Sequence, residues 1–171
     1  PGEDAREVLK MYRTVMEQAP PEFSCASVVR KAPPAPWLSK DIHGKLMVAL
    51  IVCHTGSIEE GERIMKSIRS FGSPVGDIVQ RRTYVSQQSM LHASQPKGRW
   101  YYWKSDFLPR LTPDLLESVI AHGERVMSPH SGVFLFPLGS ALASLSEDYS
   151  AAGNRDATFV FNVAGSWEKP E

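Results

Sequence analysis

Cysteine, net charge and long apolar runs are all scarce in this chain, and each scarcity excludes something. Only two of the 171 residues are cysteine, Cys25 and Cys53. They fall in different expected strands without metal-ligand spacing, so reduced, buried thiols are favoured over a disulfide, and the cytoplasm over an oxidising compartment. Nineteen basic residues balance nineteen acidic ones, which leaves no excess of positive charge for phosphate neutralisation and argues against nucleic acid as a partner. No apolar run approaches the roughly 20 residues of a membrane-spanning helix, and no signal peptide is visible.

Familiar site motifs are missing as well. The chain has no G-x-G-x-x-G, no Walker A loop and no G-x-S-x-G elbow. His43, His54, His92, His122 and His130 never fall into a zinc spacing. His54 and His122 are expected to be hydrogen-bonded structural residues.

What the chain does have is a dense aromatic segment. Pro96 to Arg110 reads PKGRWYYWKSDFLPR, holding two Trp, two Tyr and a Phe in a chain that is 9% aromatic overall. Alternation along a strand at about 99–107 puts Trp100, Tyr102, Lys104 and Asp106 on one face and Tyr101, Trp103, Ser105 and Phe107 on the other. The second set is apolar enough to pack under helices. The first would be costly to bury unpaired, so it is assigned to the open side, either as a solvated face with a Lys–Asp pair or as the wall of a ligand site.

The remaining pattern alternates helices and strands. Apolar spacing from Ala5 to Met16 predicts a helix over about 3–18, stopped by Pro20-Pro21. Ser57 and Glu60 form a capping-box pattern before a second helix, and Thr112-Pro113 opens a third. A helical turn is expected near Val85 to Leu91. Strands are predicted at 23–29, 75–84, 132–138 and 157–167. Leu46 to Cys53, apolar throughout, is expected to be a central strand buried on both faces. Strand 157–167 splits into Phe159, Phe161, Val163 and Trp167 against Thr158, Asn162 and Ser166. A single open face is therefore expected to collect Tyr102, Lys104, Thr158 and Asn162.

The fold class that follows is α+β: an antiparallel sheet covered by helices, ferredoxin-like, in two incomplete ferredoxin-like halves. The first half lacks its opening strand and the second its closing helix and strand, so residues 1–171 are expected to be a single-domain piece of a larger protein.

The segments RKAPPAPWL, HGKLMVALIVCHTG, GERIMKSIRSFGSPVGD, YYWKSDFL, FPLGSAL and NRDATFVFNVAGSW, in that order, strongly resemble the substrate-binding region of FAD-linked oxidases of the berberine-bridge-enzyme-like group. The resemblance covers nearly the whole chain. It implies a middle region that covers a flavin held mainly by a separate domain, so FAD is the cofactor of the parent protein and no cofactor-binding residue is expected here. The missing FAD-binding domain and a small-molecule substrate are then the partners, and the chain alone is expected to be inactive.

Tyr102, Trp103, Lys104 and Ser105 match the family's Y-W-K-S segment. Asn154-Arg155-Asp156-Ala157 stands where the family has H-R-D-A, with Asn154 replacing the histidine. Gly139-Ser140-Ala141 stands for Gly-Gly-Ala, and Asn162 and Trp167 match N-x-x-x-x-W. The implied chemistry is hydride transfer from substrate to flavin, with O₂ as acceptor. Tyr102 is the candidate for proton transfer or orientation. Lys104, Asn162 and Asn154 join it as substrate-binding candidates, while Arg155 and Trp167 are taken as structural.

Two other classes compete. One is a ferredoxin-like binding or oligomerisation module without catalysis, forming a homodimer through unpaired sheet edges. The other is an RNA-binding sheet, suggested by Lys97-Gly98 before the aromatics but broken in spacing by Arg99 and Trp100.

Overall fold

A computed structural model describes residues 2–139 and 142–168. Five strands form one sheet: β1 (Phe23–Lys31), β2 (Leu46–His54), β3 (Trp100–Leu108), β4 (Gly132–Pro137) and β5 (Phe159–Trp167). Their order is β2-β1-β4-β5-β3, and every neighbouring pair is antiparallel. The helices are α1 (Ala5–Gln18), α2 (Ile58–Arg69), the short α3 (Tyr84–Gln88) and α4 (Pro113–Glu124). The class is α+β with an antiparallel sheet, as the sequence pattern indicates.

Helix starts follow the local chemistry. The Ser57 hydroxyl accepts the Glu60 N–H at 3.2 Å and the Thr112 hydroxyl accepts the Leu115 N–H at 3.3 Å. The Glu60 carboxylate turns to Arg63 at 3.4 Å. One core joins α1, α2 and α4 to a single side of the sheet: Leu9, Tyr12, Met65, Leu116 and Ile120 pack on Cys25, Val29, Val133, Leu135 and Phe159. Gly123 lets α4 approach β1 closely, since a Cβ there would meet Val29 Cγ1 at 2.5 Å. Burial pushes the Cys25 thiol up to about 12. Both cysteines are free.

Two expectations fail here. Residues Val75 to Tyr84 do not form a strand. The segment is irregular until Thr83 caps α3, and Ile78 and Val79 are exposed. Asp77 explains this, because its carboxylate accepts the Val79 N–H at 2.9 Å and binds Arg69 Nε at 2.6 Å, closing a local turn instead of joining a ladder. Nor is β2 central. It ends the sheet order. It is apolar on both faces because the helices cover one while the 32–42 loop and Val75 cover the other, around Leu38 and Met47.

The Asp77 turn makes a pH prediction. The Val79 N–H, followed by Arg69, holds the Asp77 carboxyl below its ordinary value. A lowered carboxyl stabilises the fold above its unfolded pKa and loses that contribution as pH falls through the folded one. Amide protection at Val79 is therefore expected to fall as the medium is taken below about pH 4, and Asp77→Asn should remove that pH dependence. Hydrogen exchange measured residue by residue checks both.

Candidate functional site

Strand register decides which side chains share a surface. In an antiparallel ladder, residues opposite one another point to the same face. Leu108 lies opposite Phe159, Asp106 opposite Phe161, Lys104 opposite Val163 and Tyr102 opposite Gly165. Phe159 and Phe161 belong to the helix-side core, so Trp100, Tyr102, Lys104 and Asp106 lie on the helix side of the sheet. Asn162 lies opposite Ser105, and Ala164 opposite Trp103, on the other side.

This reverses the expected assignment. Tyr101, Trp103 and Phe107 do not pack beneath helices, and no single face gathers Tyr102, Lys104 and Asn162. The physical reason is position: β3 ends the order, beyond the reach of the helices, so neither face of it is buried. Tyr102 remains 62% exposed and Trp103 50%. Lys104 Nζ sits 5.7 Å from the centre of the Tyr102 ring, a cation–π contact of the exposed kind. The Asp106 carboxylate accepts the Phe107 N–H at 2.8 Å.

The side away from the helices divides in two. Its β2 end is covered by the 32–42 loop. Its β4-β5-β3 end carries an apolar surface with one polar centre. Asn162 donates from Nδ2 to Ser105 Oγ at 2.6 Å. Phe134, opposite Asn162, stacks with Phe136 at 5.7 Å and 8°. Trp103 meets Tyr101 edge to face at 6.0 Å. Phe136 and Phe107 are exposed there too. Ser105, Phe134 and Phe136 escaped selection as site residues. The alternation in Phe134-Leu135-Phe136 was a usable signal, but only with Leu135 known to face the core.

Asn154 stands apart from that surface. It lies in the connection to β5, exposed, with φ of 58°, a left-handed conformation that asparagine tolerates. Arg155, beside it, is 5% exposed. Its Nη1 donates to Leu142 O at 3.3 Å and its Nη2 to Ser150 Oγ at 2.7 Å, while its backbone N–H donates to Glu147 Oε1 at 2.7 Å. The guanidinium also lies 5.9 Å from the Tyr149 ring centre. Thr158 Oγ1 donates to Pro109 O at 2.8 Å. Ser140 and Ala141, of the Gly-Ser-Ala segment, lie outside the described residues.

The exposed sheet surface is a wall. A small-molecule site encloses most of its ligand, and the hollows beside α2 (Glu62, Lys66, Arg69) and between α1 and α4 (Arg6, Arg13, Glu117) lie off this face. The residues also fit a dinucleotide poorly. The three long helices carry Glu7, Glu59 with Glu60, and Asp114 in their first turns, placing carboxylates where a pyrophosphate would dock. Among the described residues, the flat aromatic surface suits a planar ring.

The fold recurs as about a third of berberine bridge enzyme and of a nicotine oxidase. No protein-family model matches the chain. It is similar to an FAD-linked oxidoreductase of Dictyostelium discoideum, 24% identical over 71% of this chain and 29% of that protein. Its fold matches berberine bridge enzyme from Eschscholzia californica with a TM-score of 0.76 at 12% identity, covering 98% of this chain and 34% of that one. It matches 6-hydroxy-D-nicotine oxidase from Arthrobacter nicotinovorans with a TM-score of 0.72 at 12% identity, covering 97% and 35%. The resemblance to berberine-bridge-enzyme-like FAD oxidases thus stands on sequence and on fold. The chain spans about a third of the length of these proteins.

Proposed function

We propose that this chain is the substrate-covering domain of a longer FAD-dependent oxidoreductase. The parent transfers hydride from a small-molecule substrate to flavin, with O₂ as the acceptor. FAD is held mainly outside residues 1–171, and the chain alone is inactive. The carrying observation is the β4-β5-β3 surface, apolar with Asn162 and Ser105 at its centre, a wall that needs a second wall. The similarity to the Dictyostelium protein and the two oxidase folds supports the same reading, as do the acidic helix starts that disfavour FAD phosphates.

The ferredoxin-like account belongs to this proposal. In β3-α4-β4-β5 the spatial order β4-β5-β3 matches the first three strands and first helix of a β-α-β-β-α-β unit. The run α1-β1-β2-α2, with β1 beside β2, matches the middle of another.

Asn162 is the substrate-binding residue on this surface; Asn154, off it in the connection to β5, reaches the substrate only if the second wall brings the ligand over that loop. Tyr102 and Lys104, on the opposite side, serve the reaction only if the ligand lies there. In the longer flavoprotein, Asn162→Ala is expected to raise KM by roughly tenfold, the loss of one hydrogen bond. Tyr102→Phe is expected to leave the rate of flavin reduction unchanged in stopped flow. A depressed rate for Tyr102→Phe with Asn162→Ala silent would move the ligand to the other face and restore Tyr102 as the proton-transfer residue.

A second reading has its own observation. The outer edge of β3 has no neighbouring strand in the described sheet, which suits a binding or oligomerisation module without catalysis.

A further inference from the structure

The β3 edge carries more information than its being unpaired. Leu108 O accepts the Thr158 N–H at 3.0 Å, so Leu108 turns its backbone toward β5. The Phe107 N–H instead meets the Asp106 carboxylate. Backbone groups alternate in direction along a strand, so Tyr101, Trp103, Ser105 and Phe107 present theirs to the free edge. Nine residues, Trp100–Leu108, form that edge, all exposed but Leu108.

We propose that this edge pairs antiparallel with β3 of a second copy of the chain, about a two-fold axis through Ser105. That register sets Lys104 opposite Asp106 of the second copy, and Asp106 opposite its Lys104. Trp103 faces Phe107 of the second copy, and the reverse, while the two Ser105 residues exchange backbone hydrogen bonds. Both charged pairs fall at positions without backbone bonds between them, where opposite side chains come closest.

The charges select this arrangement over its neighbours. Centring the two-fold on residue 104 sets Lys104 against Lys104, and centring it on residue 106 sets Asp106 against Asp106. A parallel in-register pair aligns both like charges at once. Like charges directly opposite are destabilising and unlike charges favourable. A lysine on an edge strand ordinarily blocks pairing. With an aspartate two residues on, the block becomes a lock for one register. The Asp106 carboxylate gives up the Phe107 N–H, and the second copy's Trp103 carbonyl takes that donor in its place.

An interface of one strand pair is small, which places it among weak, micromolar associations. The inference does not rest on the oxidoreductase reading. In the longer protein of that reading, the closing strand of the β3 unit would lie along this same edge, so the pairing is one of the 171-residue chain. Its failure would leave that reading standing.

Sedimentation of the 171-residue chain at about 100 µM, where a micromolar dimer is populated, tests it directly. The wild-type chain is expected at twice its monomer mass. Lys104→Asp sets two like-charge pairs across the axis and is expected to weaken the dimer at least tenfold. The double variant Lys104→Asp/Asp106→Lys restores both pairs and is expected to restore the dimer. Both side chains are exposed, so circular dichroism should be unchanged in each variant. A monomeric wild type at this concentration overturns the proposal and leaves the edge to a different strand. A dimer indifferent to Lys104→Asp, or one that the double variant fails to rescue, overturns it equally.

Discussion

Tyr12→Ala is expected to cost about 3–5 kcal/mol of folding stability, the range for truncating a buried aromatic residue. Tyr12 is 0% exposed on the inner face of α1. Its ring packs edge to face on Phe159 at 6.2 Å, and its hydroxyl donates to Leu135 O at 3.2 Å. It thereby ties the first helix to two adjacent strands of the sheet. Tyr12→Phe keeps the ring and removes only the hydrogen bond, so its expected cost is about 1 kcal/mol. Burial also raises the Tyr12 phenol above its ordinary value. A raised acid stabilises the fold below its unfolded pKa and loses that contribution as pH climbs beyond it. Wild type should therefore lose stability more steeply than Tyr12→Phe above about pH 10. Urea titrations of the three proteins at neutral and alkaline pH measure all of this; equal costs for Ala and Phe would mean the ring contributes nothing.

That tie has a functional consequence. With α1, α2 and α4 committed to one side of the sheet, the other side is left to the 32–42 loop and, toward β3, to nothing among the described residues. The surface around Asn162 exists because the three long helices pack on the other side. A change that loosened α1 would expose the helix-side core and still leave this surface flat.

The sequence made some of this legible and hid the rest for identifiable reasons. Helix starts at Ser57 and Thr112 depend on a hydroxyl and a nearby N–H, and both form as the local pattern predicts. The five strands found were each anticipated within a few residues. The strand at 75–84 was not there, because Asp77 satisfies its neighbour's backbone locally. Apolar content misplaced β2, since a loop can cover a strand face as well as a second helix layer can.

The error at β3 is of another kind. Period-two alternation separates Tyr102 and Lys104 from Trp103 and Ser105, but it is silent about which set faces the helices. That depends on Asp106 standing opposite Phe161 rather than Asn162, a register set by a strand more than fifty residues away. Polarity points to the wrong face because β3, at the end of the sheet order, is not covered. At an uncovered edge, a lysine on the helix side costs nothing.

Arg155→Ala is expected to loosen the whole connection into β5 while barely touching the sheet. The buried guanidinium bridges Leu142 O and Ser150 Oγ and lies against Tyr149, so one side chain fastens three points of a segment with little regular structure. Each hydrogen bond is worth about 1 kcal/mol and the cation–π contact a similar amount. Amide exchange over residues 142–157 is therefore expected to accelerate by roughly 100-fold, with β1 and β4 unaffected. Arg155→Lys should recover only part of the protection, because an ammonium group lacks the planar fork that reaches both acceptors at once. Asn154 immediately precedes Arg155 and has a φ of 58°, so in the longer protein the alanine variant should also disturb any contact that Asn154 makes with substrate. Exchange rates in 142–157 that matched wild type would show that the loop holds its shape without the arginine, and Asn154 would then owe its position to the turn alone.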